Sequence, residues 1–483
     1  MVEENELASL DLDKDIQSIH SNSSTSSHHN VDIDIEKQDE SRGSEDAIAI
    51  EPTTTRRTGV SAGEKGVVSK VISRISTKSS WIDPGPPPNG GLKAWMQVFF
   101  GHLVIMNTWG FINSFGVFQT YYVTALGRPD SDIAWIGSIQ VFLLFFIGTF
   151  TGRLTDSGYF HAVFITGSVI GVFGLFMASL STTYWQLFLS QGVCFGLGCG
   201  CLFCPVMSQL STYWSTRRSL AIGIAAAGSA TGGIVFPAMV QQLLPKIGLP
   251  WTIRSLAFIQ LPCLIVCNIG LRPRVPPRKT GALVDWASFK EKPYVFFAVG
   301  MFFNFQGVYF AFFYMGSFAR TIIGLPYEES INLLLVLNGV GAIGRIVPNH
   351  LADRFFGPMN CIIPSVVASS FLYYCWIAVT NRAGLYGWAI VYGIVGAAIQ
   401  SLFPATLSSL TTNLRMMGTR MGMVFTIVSF AVLTGPPIAG ALIAAKDGEY
   451  QYAQIFAGLD LTVGCCFLIA ARVCKSRKLK FKM

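Results

Sequence analysis

IAWIGSIQVFLLFFIGTFT (residues 133–151), GRLTDSGYF (152–160) and HAVFITGSVIGVFGLFMASL (161–180) follow one another without a gap. Neither outer run contains an Asp, Glu, Lys or Arg. A helix rises about 1.5 Å per residue, so roughly 20 mainly apolar residues cross the hydrocarbon core of a bilayer. The segment therefore reads as two membrane-crossing helices joined by a short polar turn holding Arg153 and Asp156. From Trp95 onward the chain repeats this alternation. Expected spans are 95–119, 133–151, 161–180, 185–209, 220–243 and 251–271, then, after a polar gap, 293–317, 330–350, 358–379, 385–409, 419–444 and 453–473.

Composition agrees with this reading. Of 483 residues, 51% are hydrophobic and 13% charged, against about 25% charged in a soluble domain. The net charge of +8 does not signal nucleic acid, because Arg and Lys sit beside the apolar runs, as membrane topology requires. Nearly all of the 11 cysteines lie inside apolar runs, where they read as small packing residues. No His-rich box or HExxH sequence supports metal chemistry, so neither an enzyme nor a cofactor is expected.

Domain organisation follows from these patterns. Residues 1–90 are rich in Ser, Thr, Asp and Glu, with no aromatic before Trp81, and are expected to be a disordered cytosolic tail. A six-helix bundle is expected over 91–271, a basic cytosolic linker over 272–292, a second six-helix bundle over 293–473 and a basic cytosolic tail over 474–483. The excess of Arg and Lys in the linker, the terminal tail and alternate loops places both termini in the cytoplasm. The plasma membrane is the expected location, with a vacuolar or other internal membrane as the alternative.

The halves echo each other. Gly148-x3-Gly152-Arg153-x2-Asp156 after the second helix is matched by Arg345-x3-Asn349-x3-Asp353-Arg354 after the eighth. Leu202-Phe203-Cys204-Pro205 in the fourth helix is matched by Leu402-Phe403-Pro404 in the tenth. Paired six-helix halves suggest a transporter that rocks about a midplane site. Arg153, Asp156, Asp353 and Arg354, at helix ends, are expected to gate it, as carboxylates and guanidiniums that latch the halves in one conformation.

Two further stretches carry a family resemblance. Pro88-Asn89-Gly90-Gly91-Leu92-Lys93-Ala94-Trp95 is similar to an Asp-Gly-Gly motif followed by Trp, with Asn89 in place of the acid. Tyr213-Trp214-Ser215-Thr216-Arg217-Arg218-Ser219-Leu220-Ala221-Ile222-Gly223-Ile224-Ala225-Ala226-Ala227-Gly228 resembles a fifth-helix signature in which Thr216 replaces the usual Lys. Both belong to the monocarboxylate-transporter-like family of the major facilitator superfamily, especially its fungal branch, and the resemblance covers about 90–473. It implies an all-α fold of twelve transmembrane helices in two pseudo-symmetric halves.

An ionisable residue at a helix centre costs about 2.5–3.5 kcal/mol on insertion scales, so Arg345 in the eighth span invites explanation. The resemblance implies that it binds a substrate carboxylate, a task suited to the planar guanidinium fork. Proton-coupled members of the resembled family carry an Asp one turn earlier, where this chain has Gly341, and a first-helix Lys near the position of Asn113. Amides recur in the pseudo-equivalent first and seventh helices and in the eighth, and Asn113, Asn304, Gln306 and Asn338 are expected beside Arg345 in a substrate site. The expected partners are a small-molecule substrate and the lipid bilayer, with a coupling proton left open. The reading is a secondary-active transporter of a small organic solute by alternating access. The alternatives are an efflux pump for a secondary metabolite or a non-transporting membrane receptor.

Overall fold

The computed structural model describes residues 85–278 and 281–476. Most of the expected N-terminal tail, Lys279 of the linker and residues 477–483 of the terminal tail lie outside the described residues. Those described are helical or in short connections, with no strand. Ten helices are long and apolar enough to cross a membrane. One of them, Arg218–Gly270, is two helices meeting at Gly248, whose backbone (φ 71°, ψ 170°) is not helical. Prolines at 245 and 250 flank that break. A further helical stretch, 91–126, is interrupted at Ser114. Splitting the one and adding the other gives twelve.

In chain order these are α1 (91–126), α2 (Ser131–Asp156), α3 (Phe160–Ala178), α4 (Tyr184–Tyr213), α5 (218–247) and α6 (249–270), then α7 (Lys292–Thr321), α8 (Tyr327–Phe356), α9 (Pro358–Trp376), α10 (Arg382–Leu410), α11 (Leu414–Ala444) and α12 (Gln451–Lys475). Most of these helices are apolar on every side, as a bilayer demands. On α3, Ile165, Val169 and Phe173 are more than half exposed, while Phe164, Gly171 and Leu175 are buried. The first stripe suits lipid and the second suits the bundle.

Packing between helices relies on small residues that let backbones approach. Within the first half, α1 and α5 meet at Gly110 against Gly232, where a Cβ would come within 2.5 Å of the opposing Cα. His102 of α1 is satisfied in the same seam, its Nδ1 2.9 Å from the Ile224 carbonyl and its Nε2 3.0 Å from Thr231 Oγ1. The halves meet along α2 with α11 and along α5 with α8. On α2, Gly148 and Gly152 lie against Gly422 and Gly418; a Cβ on Gly152 would stand 2.1 Å from the Gly418 carbonyl oxygen. On α5, a Cβ on Gly223 would stand 2.4 Å from the Arg345 carbonyl.

The two stretches that carry the family resemblance touch in space. Asn89 Oδ1 accepts hydrogen bonds from the backbone N–H of Ser215 (2.6 Å) and Thr216 (3.0 Å), and its Nδ2 donates to Ser215 Oγ (2.9 Å). Trp95 and Trp214 meet edge-on at 4.8 Å. The amide oxygen at position 89 thus accepts two backbone hydrogen bonds, as a carboxylate there could.

Candidate functional site

Between the halves lies a small cavity. Its walls are aromatic: Trp109 from α1, Phe145 from α2, Phe203 from α4, Phe305 and Tyr309 from α7, and Phe403 from α10. Trp109 stacks on Tyr309 across the halves, with centroids 6.1 Å apart and planes 9° from parallel. Phe145 meets Phe305 edge-on at 5.7 Å.

Into this apolar chamber one cation projects. Arg345 is 1% exposed and lines the cavity beside Gln400. Its Nη2 donates to Gln400 Oε1 at 2.9 Å, while its Nη1 has no hydrogen-bond partner among the described residues. No ion pair within 4 Å involves it among the described residues. Buried charges are normally paired, and this guanidinium, on a residue lining the cavity, leaves Nη1 without a protein acceptor among the described residues. Gly341 makes room for it, since a Cβ there would fall 2.5 Å from Arg345 Nη1.

Of the five residues expected at the substrate site, only Arg345 lines this cavity. Asn338 packs between α8 and α5, its Nδ2 donating to the Leu334 carbonyl (3.0 Å) while its side chain abuts Gly233. Asn304 lies on the side of α7 that faces Gly464 of α12. The Gln306 backbone packs against Gly435 of α11. Asn113 is buried in α1 without a hydrogen-bond partner among the described residues. Gln400 is the amide that reaches the arginine.

The carboxylates at the helix ends both cross between halves. Asp156, closing α2, accepts hydrogen bonds from the backbone N–H of Gly418 (3.0 Å) and Thr419 (2.7 Å) and from Thr419 Oγ1 (2.6 Å). Asp353 sits in the wide π-type turn Ala352–Phe356 that ends α8. It accepts from the backbone N–H of Ser219 (3.1 Å) and Leu220 (2.6 Å). In each case a carboxylate from one half caps the first turn of a helix in the other, where unsatisfied N–H groups and the helix dipole favour negative charge.

The arginines serve elsewhere. Arg153 donates to the carbonyls of Arg278 (3.2 Å) and Gly281 (3.0 Å) in the linker. Arg354 lies over the Phe355 ring at 5.1 Å. Backbone amides of the opposite half thus hold both carboxylates. Arg278 joins the Asp156 contact from the linker, its N–H donating to the Asp156 carbonyl (2.7 Å) and its Nη2 to Thr419 Oγ1 (3.2 Å). Arg218 adds a bond between halves to the Ser408 carbonyl at 3.0 Å.

Comparison with known proteins decides the family. Residues 98–436 match the family model described as Major Facilitator Superfamily. This chain belongs to the major facilitator superfamily. It is 51% identical over 393 residues to an MFS-type transporter of Gibberella zeae, covering 81% of this chain and 89% of that one. It is 41% identical to the MFS-type transporter dbaD of Emericella nidulans, covering 79% and 87%. To the aspyridones efflux protein apdF of the same organism it is 33% identical, covering 80% and 79%. Among solved structures, the fold resembles the Escherichia coli fucose:proton symporter (16% identity, TM-score 0.60, covering 80% and 98%). It also resembles a bacterial homologue of the iron transporter ferroportin in an outward-facing state (13%, TM-score 0.63, covering 79% and 99%). This MFS transporter is a multi-pass membrane protein with the superfamily's all-helical fold.

Proposed function

We propose that this transporter is a secondary-active exporter of an organic anion of secondary metabolism, working by alternating access. The observation that carries this reading is Arg345, fully buried in an aromatic chamber with one guanidinium edge unused. Such a site suits a ligand that is largely apolar and carries a carboxylate, enolate or similar acceptor. A relative whose name records efflux of aspyridones supports export. The resemblance to monocarboxylate transporters supports the same arginine with the opposite direction, uptake of a small carboxylate. The absent acid at Gly341 and the aromatic walls favour export. In this reading the end of the bundle bearing Asp156, Asp353 and the linker faces the cytoplasm, and the plasma membrane is the site of action.

The paired caps are the gate of the same cycle. Asp156 with the first turn of α11, and Asp353 with that of α5, hold the linker end closed, and both separate when the cavity opens to the cytoplasm. Metabolite profiling of cells and medium after deletion and overexpression tests the direction. Deletion is expected to raise an acidic, aromatic metabolite inside the cell and lower it outside. Depletion inside on deletion would show uptake instead. Arg345→Gln is expected to reproduce the deletion at normal surface expression, with a loss of at least roughly 30-fold, as for truncation of a buried charge pair. Unimpaired export by this variant would remove Arg345 from the site.

A further inference from the structure

One acidic group inside the bundle takes no part in the proposed cavity or gate. Asp460 lies in α12, 9% exposed, and its Oδ2 is buried with no hydrogen-bond partner among the described residues. The helix register fixes what it faces. Ala457, Asp460 and Gly464 are spaced three and four apart and share one side of α12. A Cβ on Gly307 of α7 would stand 2.6 Å from the Ala457 carbonyl, and one on Gly464 would stand 2.5 Å from Asn304 Oδ1. Asp460 is therefore set into the α7–α12 seam between two close contacts, near the level of Asn304.

Asn304 is completely buried, and its Oδ1 also has no partner among the described residues. Its Nδ2 makes only a long contact to Met301 Sδ at 4.0 Å. Among the described residues no cation serves this seam. On the helices packed against α12, Lys292 and Arg320 lie at the ends of α7, Arg415 and Arg420 near the start of α11, and α9 carries no charged residue. Arg472 and Lys475 lie at the far end of α12 itself. The other titratable side chains on these helices are Tyr294, Tyr309 and Tyr314 of α7, Cys361, Tyr373, Tyr374 and Cys375 of α9, and Tyr452, Cys465, Cys466 and Cys474 of α12, with Tyr374 packed against Gly458. None supplies a positive charge.

An ionised carboxylate without a donor or a cation is strongly disfavoured inside a membrane bundle. The neutral acid has an O–H that can donate to an orphaned oxygen, and Asn304 Oδ1 is one. We propose that Asp460, with Asn304 across the α7–α12 seam, forms a proton-binding site of this transporter, and that α7 links its occupancy to the substrate cavity. α7 is the connecting element because it presents Asn304 to the seam, while Phe305 and Tyr309 line the cavity and Tyr309 stacks on Trp109 of the opposite half. When the proton leaves, the carboxylate requires a donor, which the Asn304 amide supplies by turning over or water supplies by entering. Either change alters the packing of α7 on α12. The coupling to export rests on the proposed function; the proton site does not.

The test uses the full chain in phosphatidylcholine liposomes without substrate, read by infrared difference spectra between about pH 5 and 9, a range spanning ordinary and strongly raised carboxyl titration. Wild type is expected to show a protonated-carboxyl C=O band that is lost as the pH rises, and Asp460→Asn to lack that band. Asp460→Glu should retain a shifted band, and Asn304→Leu should move its midpoint by about one pH unit or more. Arg345→Gln should keep the band, so failure of the anion-site reading would leave this result standing. An unchanged band in Asp460→Asn overturns the site. If that variant does not fold, unchanged midpoints in both Asp460→Glu and Asn304→Leu overturn it instead. The α7 link is read from the fluorescence difference between wild type and Trp109→Phe. That signal should follow pH in wild type, and a Trp109 signal indifferent to pH while the band titrates overturns the link.

Discussion

At the scale of single residues, Arg345 and Gly341 form one device. Residues four apart on a helix share a side, and the missing Cβ at Gly341 is what lets the Arg345 guanidinium lie back along α8 into the cavity. Gly341→Asp would place a carboxylate beside Nη1 and supply internally the anion that the proposed substrate provides. The expected result is transport lowered about 10-fold or more at neutral pH, for about 1.4 kcal/mol of competing ion pairing. Activity should recover partly as acidification protonates the new carboxyl and frees the arginine. Gly341→Ala separates charge from bulk. If both variants lose export equally at all pH values, the guanidinium is merely crowded and no pairing is at work. Arg345 was legible in the sequence because a charge inside an apolar run must be explained. Its partner Gln400 is one amide among several in the spans, and nothing in the sequence sets it apart as the arginine's partner, because an amide costs less to bury and several helices carry one.

At the scale of elements, the sequence displays each carboxylate but hides its partner. Asp156 and Asp353 stand out at the ends of apolar runs, and the repeated loop pointed to a gate. What they bind are backbone N–H groups of Gly418, Thr419, Ser219 and Leu220, which every non-proline residue possesses and no residue type announces. The expected amide-lined cavity diverged for a related reason. A membrane helix that is apolar all round has no moment to say which side faces the cavity, so Asn304, Gln306 and Asn338 had a depth but no direction. The caps make a prediction at this scale. Asp156→Ala removes three hydrogen bonds between halves and Asp353→Ala at least two, and the loss in each variant is worth about 1–3 kcal/mol or more. Each variant is expected to shift the equilibrium toward opening at the linker end by roughly 5 to 150-fold. Accessibility of a cysteine placed at Ser408 to an impermeant thiol reagent would report it. Accessibility unchanged in the double variant would reduce the carboxylates to local caps without a gating role.

At the scale of the whole molecule, the count of twelve helices and the division into halves were legible because bilayer thickness fixes span length. The closeness of the halves was not legible, because it depends on which glycines face one another. Gly148 and Gly152 of α2 lie against Gly422 and Gly418 of α11, and Thr149 Oγ1 lies 2.8 Å from Thr426 Oγ1 in the same crossing. If transport requires the halves to rock, this crossing must part in every cycle, because a seam with so little side-chain volume has no slack to absorb the movement. A covalent bond across it is therefore a direct test. In Thr149→Cys with Thr426→Cys, the two sulfurs would sit in place of two hydroxyls already in contact, so mild oxidation should join α2 to α11. Export is expected to stop on oxidation and to return on reduction. Each single cysteine, made in the same background of native thiols, should be insensitive, which excludes an effect through Cys204 nearby. Full cross-linking with undiminished export would mean that the halves do not separate at this seam, and the alternating-access reading would fail with it.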